Sequence, residues 1–438
     1  MHKSTFSVFL KASARLLVVA TMGLLSCDRQ PVSPESSYNV SLEQAQYIAE
    51  HLTNTNVALQ TTKLKTVNEH FVLRAGQQTA LYVFNYQEGG FSIISANKHL
   101  MPVLAYSTTS TYGNTNNNKP GGLLMWERKT AQYVADAQNP TTPTPTPNIT
   151  KEWENALNPV DLQRQLTLVV KTKAGNDSKT PNRPMPPDGP PQDYDVTVGP
   201  LLPVTWGQGC TYNDRCAYGN SACGHRWTGC VMTAMAQVMA YWHYPNTYNW
   251  ANMPAASGNG DVQQLMLDAQ HSIPSLDDTH DSGTSAHLSD VAGVGFAGHT
   301  LSPAAGLKSA NFHYSSANYV SYDMSTTLSN LQISRPVILG GCDEQTNVFL
   351  GIHSYDGCHA WVSDGYEQSC SYVPDGNGGY LQYYSLLFHM NWGWHDISPS
   401  GVPYSNDYSG WFQATNWNIP GINENFQYGN DAIVNIHP

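Results

Sequence analysis

Three features of this 438-residue chain predict an α+β protein built in two parts around an exposed linker. The first is an N-terminal region where one amphipathic helix is followed by strand-like runs. The second is an abrupt change between Val170 and Val198, where Pro181, Pro184, Pro186, Pro187, Pro190 and Pro191 lie among Lys, Asp, Asn and Gly. Such a segment buries too little apolar surface to fold, and it exposes its backbone to cleavage. The third is a C-terminal region of about 240 residues, an ordinary size for one domain, in which a long apolar helical run precedes strand-like runs. The expected divisions are 1–27, 28–170, 171–197 and 198–438.

The first division reads as an export signal. Lys3, Lys11 and Arg15 stand without an acidic residue ahead of the apolar run Leu16–Leu25, which is too short for a permanent transmembrane helix. Its end, Leu24-Leu25-Ser26-Cys27, resembles a bacterial lipobox, in which the Cys is lipidated and becomes the new N-terminus. A lipidated Cys27 is the one membrane attachment expected, and the protein is expected at the cell envelope.

In the second division Ser41-Leu42-Glu43-Gln44 matches a capping box, and Leu42, Ala45, Ile48, Ala49 and Leu52 recur at helical spacing. Strands are expected at His70–Leu73, Leu81–Tyr86, Phe91–Ile94 and Pro102–Tyr106, with a helical segment near Trp126–Ala137. This region carries no catalytic cluster.

Charge is sparse and the balance acidic, 21 Lys+Arg against 33 Asp+Glu for a net −12, with no basic stripe, which argues against a nucleic-acid partner. Eight cysteines fit an exported protein. With Cys27 and Cys230 set aside, Cys210, Cys216, Cys223, Cys342, Cys358 and Cys370 are enough for three disulfides, whose connectivity stays open.

The chemistry-bearing residues lie in the last division. Thr228-Gly229-Cys230 precedes the run Val231–Trp242, which contains no Pro or Gly and is stopped by Pro245. Cys230 is therefore expected at a helix N-terminus, where unsatisfied N–H groups and the helix dipole favour the reactive thiolate. The alternative is a buried structural Cys. Gly357–Tyr366 reads as a strand ended by Asp364-Gly365, with Cys358 and His359 on opposite faces. Phe388–Trp394 then supplies Asn391 to hold an imidazole and Trp392 to cover that contact. His359 lies about 130 residues beyond Cys230 and Asn391 about 30 beyond His359, the order and scale of papain-like enzymes.

Trp206-x-Gln208, Gly229-Cys230-Val231-x-Thr233-Ala234-Met235-Ala236-Gln237, His359-Ala360-Trp361-Val362-x-Asp364-Gly365 and Asn391-Trp392-Gly393-Trp394 together resemble the streptopain family of cysteine peptidases. Arg335-Pro336-Val337 and Asp431–Ile436 extend the resemblance over nearly the whole of 198–438. Gly90–Ala96 followed by Pro102–Ser107 is similar to that family's inhibitory prodomain. The resemblance implies a papain-like catalytic domain, protein or peptide substrates, no cofactor, and a prodomain acting as an intramolecular inhibitor. It implies Cys230 as nucleophile, His359 as base, Asn391 as orienting residue, Trp392 as shield and Gln208 as oxyanion donor.

Two departures stand out. His395-Asp396 follow Trp394 where Gly is expected, and Cys210, Cys216 and Cys223 form an insertion-like loop. That loop raises a metal alternative, zinc held by Cys210, Cys216, Cys223 and His225, although the spacing lacks the close ligand pairs of common zinc motifs. Cell-wall amidase chemistry through the same Cys–His pair, and a catalytically dead binding homologue, are the competing functions.

Overall fold

The computed structural model describes residues 38–52, 64–115, 119–139, 142–158, 193–220, 222–279, 284–293, 305–341, 344–349, 352–356, 358–374, 377–395, 407–414 and 431–438. The export signal with Cys27, the prolines of the linker, Cys342 and Asp396 lie outside them. The fold is α+β.

The N-terminal region is a meander with helices packed on it. Helix α1 (Leu42–His51) starts at the expected capping box: Gln44 N donates to Ser41 Oγ at 3.2 Å and Ser41 N donates to Gln44 Oε1 at 3.1 Å. Its Ala45, Ile48 and Ala49 are buried, one stripe of a 3.6-residue period. Strands β1 (Val67–Ala75), β2 (Gln78–Tyr86), β3 (Phe91–Ser95) and β4 (Val103–Ser107) pair antiparallel in chain order. Strand β3 is buried throughout, so it carries apolar residues on both faces. Helices α2 (Gly121–Ala137) and α3 (Pro147–Leu157) complete the region.

The remaining strands are β5 (Tyr194–Val198), β6 (Ser316–Ser321), β7 (Val337–Gly341), β10 (His359–Pro374), β11 (Tyr380–Asn391), β12 (Gly410–Gln413) and β13 (Asp431–His437), with β8 (Glu344–Phe349) and β9 (Ile352–Asp356) as a separate hairpin. Among the described residues, eleven strands share one sheet in the order β1-β2-β3-β4-β12-β11-β10-β7-β13-β6, with β5 also on β10. The N-terminal meander thus continues into the C-terminal sheet through β4 and β12, where Trp411 faces Tyr106 and Phe412 faces Ala105.

On the other side of this sheet's core sits helix α4 (Cys230–Trp242), whose residues Val231 through Ala240 are all buried. It packs against α5 (Gly260–His271) and β10, and an apolar run with no Pro or Gly makes it a core helix. Helix α6 (Met324–Gln332) precedes β7 and is capped by Asp323.

Two expectations are corrected here. Asp364-Gly365 does not end the strand of His359. It forms a bulge between Ser363 and Gly365 within a strand that runs on to Pro374. Glycine is needed because β5 passes close by: a β-carbon on Gly365 would stand 2.7 Å from the Val198 carbonyl oxygen. The end of the expected linker, 194–197, forms β5 together with Val198, which pairs with Tyr366 while Tyr194 pairs with Cys370.

Candidate active site

Cys230 is the first residue of α4, and Gly229 before it takes φ 93°. A side chain there would be strained, and its β-carbon would meet the Met232 methyl at 2.2 Å. Cys230 is partly exposed although the residues behind it are buried, so its thiol stands at the edge of the core. Burial pushes the thiol up, and the N–H groups of Ala360, Val231 and Cys230 itself pull it down, with a net upward shift. Ala360 follows His359, so the sulfur lies against the start of β10.

His359 is 5% exposed. Its Nε2 lies 2.8 Å from the Trp392 carbonyl oxygen, and because a carbonyl only accepts, this nitrogen carries the proton. Nδ1 is then the basic atom of the ring. Desolvation pushes the imidazole down to about 4, against the opposing hydrogen bond to Trp392. Trp361 lies nearly parallel to it at 6.3 Å, and Trp394 meets it edge-on at 5.4 Å.

Asn391 ends β11 and faces Val362 across the sheet, which brings it near His359. Its side chain is engaged elsewhere. Nδ2 donates to Val204 O at 2.9 Å, and Oδ1 accepts from Gln237 Nε2 at 3.1 Å and from Gly393 N at 3.2 Å. The reading of Asn391 as direct partner of the imidazole therefore differs from the structure, where the carbonyl of the next residue takes that place. Trp392 is 1% exposed, and its ring packs on Trp361 at 5.1 Å and Phe412 at 5.3 Å. It meets His359 through its backbone, while Trp361 and Trp394 flank the imidazole. Gln208 is buried, with Nε2 3.5 Å from Gly393 O.

The N-terminal region reaches this corner. A β-carbon on Gly122, at the start of α2, would stand 2.8 Å from the Trp361 ring and 2.9 Å from the Trp392 ring. Only a glycine lets the helix backbone lie on both indoles.

Residues 206–399 match the peptidase C10 family and residues 31–134 match the Spi protease inhibitor family. The first match falls within the C-terminal half and the second within the N-terminal region. It is similar to the thiol protease/hemagglutinin PrtT of Porphyromonas gingivalis, 25% identical over 284 residues, which are 54% of this chain and 27% of that protein. The chain thus matches about a quarter of that relative's length. It is also similar to the solved prointerpain A fragment of Prevotella intermedia, with 23% identity, TM-score 0.47, and coverage of 83% of this chain and 98% of that one. Against active interpain A of the same organism the identity is 25% and the TM-score 0.35, over 54% of this chain and 94% of that one.

The span that matches the peptidase C10 family takes in Gln208, Cys230, His359, Asn391 and Trp392. The Cys-rich loop lies in it too. Cys210 and Cys223 are joined in a disulfide with Cα atoms 5.4 Å apart, which removes two of the four residues from the zinc alternative. Cys216 is a free, buried thiol pushed up to about 12 by desolvation, and His225 Nδ1 lies 2.8 Å from its carbonyl oxygen. Cys358 is disulfide-bonded, whereas Cys370 is free and buried, so the six remaining cysteines do not make three bridges. Cys370 lies at the β5–β10–β11 junction, where Gln382 Nε2 contacts its sulfur at 3.2 Å.

Sequence reading did not find the Trp392 carbonyl, since backbone atoms leave no residue-type signature. Gly122 was equally invisible, because it serves a neighbour far away in the chain.

Proposed function

We propose that this chain is an exported cysteine endopeptidase made as a zymogen. The observation that supports it best is the conjunction of a free thiol at the start of α4 with an imidazole whose Nε2 is committed to a carbonyl. That commitment leaves Nδ1 to take the proton of Cys230. The sulfur attacks the carbonyl carbon of a peptide bond, and the imidazolium returns the proton to the leaving amine. Water then hydrolyses the thioester. Gln208 Nε2 and the Cys230 N–H receive the oxyanion, one such donor being worth about 3–4 kcal/mol. Asn391 serves the base indirectly, by holding the corner that presents the Trp392 carbonyl.

The Spi-type domain is the intramolecular inhibitor. With it docked, burial keeps Cys230 a thiol and His359 neutral, so the reactive ion pair does not form. Cleavage within 171–197, where Lys171, Lys173, Lys179 and Arg183 are available, separates the halves, and β5 stays on β10 as the new N-terminal strand. The lipobox pattern supports anchoring through Cys27, so that this cut would release the catalytic half from the membrane.

The test is to incubate purified precursor under reducing conditions while following its mass and casein hydrolysis together. Trimming to roughly 28 kDa, scaled from the chain length, should coincide with the rise in activity. Precursor carrying Cys230→Ser should stay uncut until active enzyme is added. Full-length protein as active as the trimmed form would overturn the zymogen reading, and release of peptidoglycan fragments without casein cleavage would favour an amidase.

A further inference from the structure

We infer that Gln237 is a positioning residue for peptide-bond hydrolysis, setting the base and the oxyanion donor in register with the thiol. The inference rests on the peptidase reading of Cys230 and His359.

Gln237 lies two turns beyond Cys230 on α4 and is fully buried. Its Nε2 donates to Trp206 O at 2.8 Å and to Asn391 Oδ1 at 3.1 Å. Both partners accept only at those atoms, since Asn391 Oδ1 also receives the Gly393 N–H at 3.2 Å, so the orientation of the amide is determined. One hydrogen-bonding group thus ties together three stretches of chain. The first is the helix that begins with the nucleophile. The second is the Val204–Gln208 segment, which Asn391 also holds by donating to Val204 O at 2.9 Å. The third is the corner Asn391-Trp392-Gly393, from which the Trp392 carbonyl meets His359 and the Gly393 carbonyl meets Gln208 Nε2.

The corner has little room to move. Gly393 takes φ 64°, and a β-carbon there would stand 3.3 Å from the Thr233 methyl, one turn before Gln237 on the same face of α4. Thr233 in turn is hydrogen-bonded to Thr228 at 2.9 Å, beside the Cys230 turn.

A second observation separates placement from stability. Gln237 Oε1 is buried and has no hydrogen-bond partner among the described residues. An orphaned acceptor in a core is destabilising, and an apolar side chain of the same length would avoid it. The orphaned acceptor offsets part of what the two donor bonds contribute, so stability alone does not account for this residue.

The experiment compares trimmed wild-type enzyme with Gln237→Met, Gln237→Glu and Cys230→Ala. It measures kcat and KM on a casein-derived peptide, the melting temperature, and the pH profile of Cys230 alkylation by iodoacetamide. Gln237→Met removes the orphaned Oε1 but leaves Trp206 O without this donor, so it should melt near the wild-type temperature, yet lose about 10- to 100-fold in kcat with KM within about threefold. Its alkylation profile should shift toward that of an ordinary thiol, because the misplaced imidazole no longer takes the proton. Gln237→Glu faces two acceptors with a carboxylate, so its kcat should fall further at neutral pH and recover in part as acid supplies an O–H donor. A folded Gln237→Met with kcat within twofold of wild type would overturn the inference. So would a kcat loss that follows melting temperature while the alkylation profile stays in place. If Gln237→Met does not fold, the pH dependence of Gln237→Glu decides alone, and its absence counts against the inference. Wild type no more active than Cys230→Ala would instead bring down the peptidase reading and this inference with it.

Discussion

The two halves of the molecule are built differently. In the N-terminal region β1 to β4 stand in the sheet in chain order, and Leu81, Val83 and Phe84 of β2 and Phe91 and Ile93 of β3 are fully buried, beside the polar Asn85, Ser92 and Ser95. In the C-terminal half the order is β12-β11-β10-β7-β13-β6, so the last strand of the chain lies between β7 and β6. There the interior holds Thr228, Thr233, Gln237, Asn391 and His359. Sequential hairpins close short loops, and the buried polar groups of that half bond within it, Asn85 to the Tyr112 backbone and Lys119 to Glu127. A buried amide contributes about 1 kcal/mol when paired and costs about 1–3 kcal/mol when not, so its presence is not explained by stability. In one half the buried polar groups bond within its own fold, and in the other they converge on the elements that carry Cys230 and His359.

The sharpest way to break this contrast is at the catalytic corner. Cys230→Ala should reduce casein hydrolysis by about a thousandfold or more and leave the melting temperature near that of the parent. Activity within about tenfold of wild type would mean that another group is the nucleophile.

The seam between the halves should respond next. A β-carbon on Gly410 would stand 2.6 Å from Tyr106 O, and one on Gly122 would press on Trp361 and Trp392. Gly410→Val and Gly122→Leu overpack the seam, at a cost of about 1–3 kcal/mol each. That corresponds to about 5- to 150-fold in the docking equilibrium. Both precursors should therefore process faster than wild type while the trimmed enzymes keep equal kcat. A precursor of Gly122→Leu as silent as the parent would show that the contact on the two indoles does not hold the lock.

Legibility followed the same division. Helix α1, its capping box and β1 to β4 were readable because period, cap and turn residues are local signals. Cys230 at a helix start and His359 on a strand were readable for the same reason. The Trp392 carbonyl was not, and Asn391 was read as the imidazole's partner because a side-chain amide is visible in sequence and a backbone carbonyl is not. The bulge at Asp364-Gly365 was read as a strand end, since the β5 backbone that requires Gly365 comes from more than a hundred residues away. Gln237 was visible within a motif, but its role depends on three segments meeting.

The contrast also has a pH signature. His359 is pushed down to about 4 in the folded chain, against about 6.5 for an unperturbed imidazole. Between those values the unfolded chain binds a proton that the folded one does not, so stability falls as pH falls through this window. Above about 6.5 the contribution is complete, and by about 4 roughly 3 kcal/mol has been lost. His99 in the N-terminal region is shifted down by burial as well, so the total slope is shared. The comparison that isolates the catalytic half is wild type against His359→Gln. The melting temperature of the variant should depend less steeply on pH between 6.5 and 4, and identical slopes would show that His359 is solvated in the precursor.

The smallest effect expected lies at one of the polar bonds between the two halves. Tyr106 in β4 donates to Glu367 Oε1 in β10 at 2.6 Å. Burial raises the Glu367 carboxyl, while this bond and the nearby His389 oppose the rise and Asp195 adds to it. The bond is made to the ionised carboxylate, so removing it should matter most where Glu367 is charged. In Tyr106→Phe the ring still packs on Trp411, and what is lost is the hydroxyl. A hydrogen bond of this kind, partly screened at the seam, contributes about 1 kcal/mol, or about fivefold in docking. The precursor should melt about 2 °C or less below wild type at pH 7.5. At pH 4.5 the gap should narrow, because the protonated carboxyl no longer needs the donor. In a Glu367→Gln background Tyr106→Phe should lower the melting temperature equally at both pH values. A gap in the parent background that does not change with pH would mean that packing of the Tyr106 ring, and not its bond to a carboxylate, secures this part of the seam.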